Sequence, residues 1–208
     1  MRRLFLILWL ALGPAFVLAP AASAQIQPQP MPPVTAADRV LGRTDAPVTV
    51  VEYASFVCPH CAHWQATVFP EFKTRFIDTG KVRLVYRDLP TNPQNFASAA
   101  AMIGRCAAPG RFFAVAASFF AGQPALLAGG EGRVWFDAAI AQSGQTREQI
   151  QACFADPAKQ AALSADINAA IVAGVNGTPS FFVNGRRLAG DPDIEALAAA
   201  IAAATSGN

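Results

Sequence analysis

Charge is scarce in this chain: Asp, Glu, Lys and Arg make up only 14% of its 208 residues, against 53% hydrophobic ones. That balance excludes a disordered chain and suffices for a real core, so one globular domain, or one domain with an insertion, is expected. No basic run goes beyond Arg186-Arg187. The formal net charge is +2, yet Arg2 and Arg3 lie in a segment expected to be cleaved; without them 14 basic residues face 14 acidic ones and no net charge is left. Such neutrality argues against nucleic acid as a partner. A membrane span is lacking too, because the apolar stretch Leu4 to Ala19 falls short of the ~20 residues a spanning helix needs and Gly13-Pro14 interrupts it. No cysteine follows that stretch to carry a lipid anchor, and Gln25 to Ala46 leaves no room for a dimerisation domain, so a monomer is expected.

What the N-terminus does have is the three parts of a secretory signal: basic Arg2-Arg3, the apolar run, and small residues ending Ala22-Ser23-Ala24 before Gln25. Residues 1–24 are therefore read as a signal peptide, delivering the chain to an oxidising compartment where cysteine pairs persist as disulfides. Proline and glutamine dominate Gln25 to Pro33, so residues 25–37 read as a flexible tether.

The chemistry concentrates in Cys58-Pro59-His60-Cys61, between an apolar run, Val48 to Phe56, and a segment of helical periodicity, Ala62 to Ile77. A strand that turns into a helix at a cysteine leaves the sulfur facing the helix's unpaired amides and the positive end of its dipole, which stabilises a thiolate. Cys61 lies one turn on, near enough to close a disulfide with Cys58 and open it again. Pro59 falls in the first helical turn, where its missing N–H costs little. His60 sits where a ring N–H or an imidazolium favours the Cys58 thiolate. A lowered thiol pKa also makes Cys58 a good leaving group, so a disulfide held there passes readily to another protein.

Around the motif, Val48 to Glu52 reads as a buried strand, and Trp64, Val68, Phe72 and Phe76 share one face of the following helix, with a kink predicted at Pro70. A second strand, Val82 to Tyr86, pairs in parallel with the first across this helical connection. From Pro93 to about Gly174 the pattern is helical, enough for four or five helices, with a capping box at Thr146/Gln149 and a start at Asp156-Pro157. Phe112, Phe113, Phe119, Phe120, Trp135 and Phe136 in that block read as core. Ser180 to Leu188 reads as a hairpin with a type I′ turn at Asn184-Gly185, followed by a helix that Asp191 caps and Pro192 opens.

The Cys-Pro-His-Cys motif resembles that of the DsbA-like thiol:disulfide oxidoreductases of the thioredoxin superfamily, and the order of elements from about Asp38 to Ala204 is similar to theirs. The resemblance implies an α/β thioredoxin fold made of residues 38–92 and 175–208, with a helical domain inserted at 93–174. It implies that Thr178-Pro179 is a cis peptide facing the cysteines, where Thr178 offers its backbone to a bound client as a short added strand. Sequence alone would rule otherwise, since only about 5–6% of X–Pro bonds are cis. Glu52 is either a strand end reaching solvent or a buried carboxylate of raised pKa that relays the Cys61 proton; the resemblance favours the relay.

Cys106 and Cys153 are either two buried free thiols or a second, structural disulfide, which some DsbA-like proteins have and which the close spacing of Cys58 and Cys61 favours. In the chain-entropy model it would stabilise the fold by about 4 kcal/mol. A zinc site drawing on His60 and His63 is disfavoured, because both project away from the cysteine face of one helix; no metal is expected. Three functions remain in play. The first is a periplasmic oxidase that gives the Cys58–Cys61 disulfide to exported, unfolded or partly folded proteins with free thiols, needs no cofactor of its own, and is reoxidised by a DsbB-like membrane quinone reductase. The second is an isomerase or reductase using the same cysteines. The third is a binding or chaperone module whose cysteines are only structural.

Overall fold

Two segments are buried at nearly every position, Val48–Ala54 (β2) and Val82–Asp88 (β3), as central strands covered on both faces are. They pair in parallel, with Val48 opposite Val82 and Glu52 opposite Tyr86, at the centre of a five-stranded sheet ordered β1-β3-β2-β4-β5. This computed structural model describes residues 31–206. The signal peptide and residues 25–30 of the tether lie outside the described residues. The short β1 (Arg39–Leu41) runs antiparallel to β3, β4 (Ser180–Val183) antiparallel to β2, and β5 (Arg186–Arg187) antiparallel to β4. Strand β1 was not anticipated, since three residues carry too little alternation to be read.

The predicted helix Ala62–Ile77 is three pieces: α1 (Pro59–Thr67), α2 (Phe69–Phe72) and a π-helical turn (Lys73–Ile77). Pro70 offers no N–H to Ala66 and disfavours helical backbone in the residue before it, so the break comes just upstream of the proline. In the π turn the Asp78 N–H reaches back five residues to Lys73 O, 2.9 Å. Trp64, Phe72, Phe76 and Ile77 nonetheless stay on one face and cover Val48, Val50 and Leu84, with Leu197 and Ile201 of α8 (Ile194–Ser206) completing that layer.

Between β3 and β4 come five helices: α3 (Gln94–Arg105), α4 (Phe112–Leu127), α5 (Gly132–Gln142), α6 (Arg147–Ala155) and α7 (Pro157–Val172). The capping box of α6 and the Asp156 cap of α7 form as the sequence predicts. Phe112, Phe119, Phe120 and Trp135 are buried, while Phe113 and Phe136 pack partly buried against them. The helical block is less separate than its boundaries suggested: Ala170 of α7 lies on the second face of the sheet with Val51, Tyr53 and Val85.

The described end of the tether is anchored rather than loose. Met31 and Val34 pack on the second sheet face, and the Arg87 guanidinium donates to the carbonyls of Pro32 and Pro33 and to the Asp38 carboxylate. Four prolines and three glutamines between Gln25 and Pro33, read as composition, gave no hint of a guanidinium waiting to be satisfied. At the hairpin, Asn184 (φ 45°) and Gly185 (φ 81°) take the left-handed backbone a type I′ turn requires. The last helix is capped two residues later than expected: Asp193, not Asp191, accepts from the Ala196 N–H at 2.8 Å.

Candidate active site

β2 delivers the chain to the turn Ser55–Val57, and Cys58 follows as the N-cap of α1 in an extended conformation (φ −81°, ψ 119°), with Pro59 opening the helix. The Cys58 N–H donates to Ser55 O (3.1 Å), closing the turn. The sulfur is thereby aimed at the first amides of α1. Hydrogen bonding from the Cys61 side chain, from Thr178, and from the backbone N–H groups of Cys61 and His60 together outweigh burial and bring the Cys58 thiol down to about 5. Cys61 is fully buried where Cys58 is 7% exposed, and burial, reinforced by the neighbouring Cys58, drives its thiol well above the ordinary value. Both are free thiols in this structure. One fold thus makes two adjacent cysteines unequal: an accessible sulfur that prefers the anion and a buried one that keeps its proton.

Thr178-Pro179 is a cis peptide, as the resemblance implied, and it lies against the motif: the Cys58 thiol donates to Thr178 O at 3.1 Å. The Thr178 hydroxyl was not singled out from sequence. It is buried without a hydrogen-bond partner among the described residues. A carbonyl suits the thiol and a hydroxyl suits the anion, so Thr178 serves Cys58 in both protonation states.

Of the two readings of Glu52, the structure has the buried one. Its side chain is fully enclosed, Oε1 has no partner among the described residues, and Oε2 only reaches Gln65 Nε2 at 3.5 Å. Burial lifts its carboxyl to about 8, so it holds a proton at neutral pH. Its charge is felt at Cys61, whose thiol it helps to raise.

His60 reaches the thiolate by a different route from the one expected. Its ring is 72% exposed and turns outward, Nδ1 standing 2.8 Å from Asp191 Oδ2, so that its contribution to Cys58 is its backbone N–H. A ring at the second position of a helix projects to the side of the axis rather than back over the N-cap. His63 is exposed, and among the described residues no group of three or more His, Cys, Asp or Glu is arranged to hold a metal.

Cys106 and Cys153 are joined by a disulfide that ties the end of α3 to α6, Cα–Cα 5.9 Å. Two further features escaped the sequence reading. Asn92-Pro93 is a second cis peptide, at the start of α3. Gln123, buried inside α4, donates from Nε2 to the carbonyls of Phe56 (2.8 Å) and Cys58 (2.9 Å). The available signal was an amide in the run Phe112–Leu127, where the other polar side chain is Ser118. Beside the motif, Ala62 and Ala66 of α1 face Phe120, Pro124 and the half-exposed Leu127 of α4 across a groove of about 400 Å³.

Comparison with known proteins accords with this geometry. Residues 35–203 match the thioredoxin family model. A putative protein-disulfide oxidoreductase of Rickettsia bellii is 33% identical over 178 residues, which are 81% of this chain and 68% of the relative. An Na(+)/H(+) antiporter NhaA 3 of Salinispora tropica is 38% identical over 173 residues, covering 80% of this chain; the match spans only about a quarter (24%) of that relative's length. Among solved structures, alpha-DsbA1 of Wolbachia pipientis superposes with a TM-score of 0.73 at 23% identity, covering 84% of this chain and 94% of that one. The chain belongs to the thioredoxin family, with the helical insertion and overall fold of its DsbA-like members.

Proposed function

We propose that this protein is a periplasmic thiol:disulfide oxidoreductase that donates the Cys58–Cys61 disulfide to exported proteins. The observation that carries the reading is the inequality of the two thiols, Cys58 held near 5 and Cys61 buried and raised. In the oxidised protein a client thiolate attacks Cys58 Sγ, the more accessible sulfur. The Cys58–Cys61 bond breaks, its electron pair goes to Cys61 Sγ, and a mixed disulfide joins Cys58 to the client. Cys61 takes up a proton, for which the protonated Glu52 carboxyl is the source. A second client thiolate then attacks the client sulfur of the mixed disulfide, and Cys58 leaves as a thiolate stabilised by the helix amides and Thr178. The client loses two electrons and the Cys58/Cys61 pair gains them.

The cis peptide beside Cys58 supports capture of the client as an extended segment on the Thr178 backbone. Reoxidation falls to a DsbB-like membrane quinone reductase. The chain acts as a monomer and holds no cofactor of its own. Release of Cys58 as a low-pKa thiolate favours giving disulfides away over reducing or reshuffling them.

The deciding experiment is trapping. With Cys61→Ala, the mixed disulfide has no internal thiol to resolve it, so exported client proteins are expected to accumulate on Cys58, released by dithiothreitol and absent in Cys58→Ser. Equal client recovery from Cys58→Ser would leave a binding module with structural cysteines.

A further inference from the structure

The turn that carries Cys58 is held from two sides, and one of them is the helical block. Phe56 packs its ring against Phe119 and Phe120 of α4, with centroids 4.9 and 5.1 Å away, and against Tyr86 at 5.4 Å. One turn along the same helix Gln123 gives its side-chain N–H groups to Phe56 O and Cys58 O. Phe56 O belongs to neither hydrogen-bond ladder, since β2 has ended and α1 has not begun. Cys58 O already accepts the Ala62 N–H at 3.2 Å, and Gln123 occupies its second lone pair. Gln123 is 1% exposed, so both bonds are shielded from water, where an amide dipole acts at full strength. The positive, N–H end of that dipole faces the residue whose sulfur ionises.

We propose that Gln123 is a positioning residue of the redox reaction: it fixes the Phe56–Cys58 turn through the two carbonyls and adds a positive dipole end beneath the Cys58 thiolate, so that the helical insertion tunes how strongly the protein accepts electrons. This rests on the redox reading given above. Gln123 touches neither client nor sulfur; it acts through the backbone that presents the sulfur. Its place in α4 suits that task. Pro124, the next residue, has no N–H to give Phe120 O, so the helix continues with one hydrogen bond missing beside Gln123, and the same stretch lines the groove next to Pro59. Removing the amide leaves one carbonyl oxygen without a donor and another short of one, both within the turn, and their negative ends disfavour an anion nearby.

The test is Gln123→Met, which keeps the length of the side chain and removes its donors. In the reduced full-length chain, Cys58 ionisation is followed by thiolate absorbance, and the reduction potential is measured against glutathione. The Cys58 pKa is expected to rise so that the thiolate-to-thiol ratio at a given acidic pH falls about tenfold, with the disulfide becoming less oxidising in step. Ile150→Val, a trimming of the same block away from the turn, is expected to lower stability and leave the ionisation unmoved. An equal shift in both variants, or none in Gln123→Met while the unsubstituted chain shows a depressed Cys58, overturns the proposal alone. An ordinary cysteine pKa in the unsubstituted chain overturns the redox reading and the proposal together. Should Gln123→Met fail to fold, the unsubstituted chain decides: the Gln123 side-chain amide protons are expected to exchange far more slowly than those of exposed Gln142 and to shift on reduction. Fast exchange, or no shift, overturns the proposal.

Discussion

Replacing Glu52 by Gln turns the buried carboxyl into a stability measurement. In the folded chain burial holds this carboxyl near 8, against an ordinary value of 4.5. Between those values the unfolded chain has lost the proton that the folded chain keeps, so folding stability falls as pH rises through the window and levels off above about 8. Each pH unit there costs about 1.4 kcal/mol. From pH 4.5 to pH 7 the loss is about 3 kcal/mol, growing to about 4 kcal/mol by pH 8. Glutamine does not titrate, so Glu52→Gln is expected to gain stability over the parent chain by those amounts across the window, whatever constant offset the new amide introduces. Cys58 works in the opposite sense: its depressed thiol gives the reduced chain stability that is complete above about 9 and disappears as pH falls through about 5. That contribution cancels in the difference between the two chains and is absent when the disulfide is closed. The assay is urea unfolding of both chains, oxidised, at several pH values from 4.5 to 8. A difference that stays flat across this range would refute the reasoning, because Glu52 would then ionise alike folded and unfolded and would carry no proton for Cys61 at neutral pH.

In the reduced chain at pH 7, thiolate formation at Cys58 is expected to contribute about 2 kcal/mol of stability relative to pH 4, once discounted for the partial exposure of the sulfur, and denaturant titrations of Cys58→Ser should lack this component. Thr178→Val removes a buried hydroxyl that has no hydrogen-bond partner among the described residues and that helps to lower the Cys58 thiol. It should raise the Cys58 pKa by about one unit while the oxidised form becomes slightly more stable, by about 1 kcal/mol; an unchanged thiolate titration would show that the hydroxyl plays no part. The double variant Cys106→Ala/Cys153→Ala opens a 47-residue link and is expected to lose about 4 kcal/mol of stability while keeping Cys58 ionisation intact. A thiolate titration that moved with that loss would mean the disulfide also shapes the site.

Much of this protein was legible in local patterns. Val- and Leu-rich runs announced β2 and β3, spacing placed Trp64, Phe72 and Phe76 on one face, and Asn184-Gly185 marked the hairpin, because period, turn chemistry and capping act over a few residues. A cysteine at a strand-to-helix junction with a second three residues on was enough to foresee a thiolate, since the helix supplies the field itself. Beyond Thr178-Pro179 and Glu52, which the resemblance placed there, the partners of that site were not legible, as most lie far away in the chain. Whether Glu52 met water or a sealed interior depended on Gln65 and on strands three and four. The His60 ring found Asp191, leaving Asp193 to cap the last helix, a choice between carboxylates two residues apart that only the packing of the loop decides. Arg87 drew the proline-rich segment onto the sheet, and Gln123 reached two carbonyls more than sixty residues upstream. Sequence by itself determined the paired sulfurs of Cys58 and Cys61 and the elements that present them, because those depend on neighbours along the backbone. The tertiary structure alone decided which polar groups are sealed from water and what they face, because burial and hydrogen bonding are settled by segments that meet only once the chain has folded.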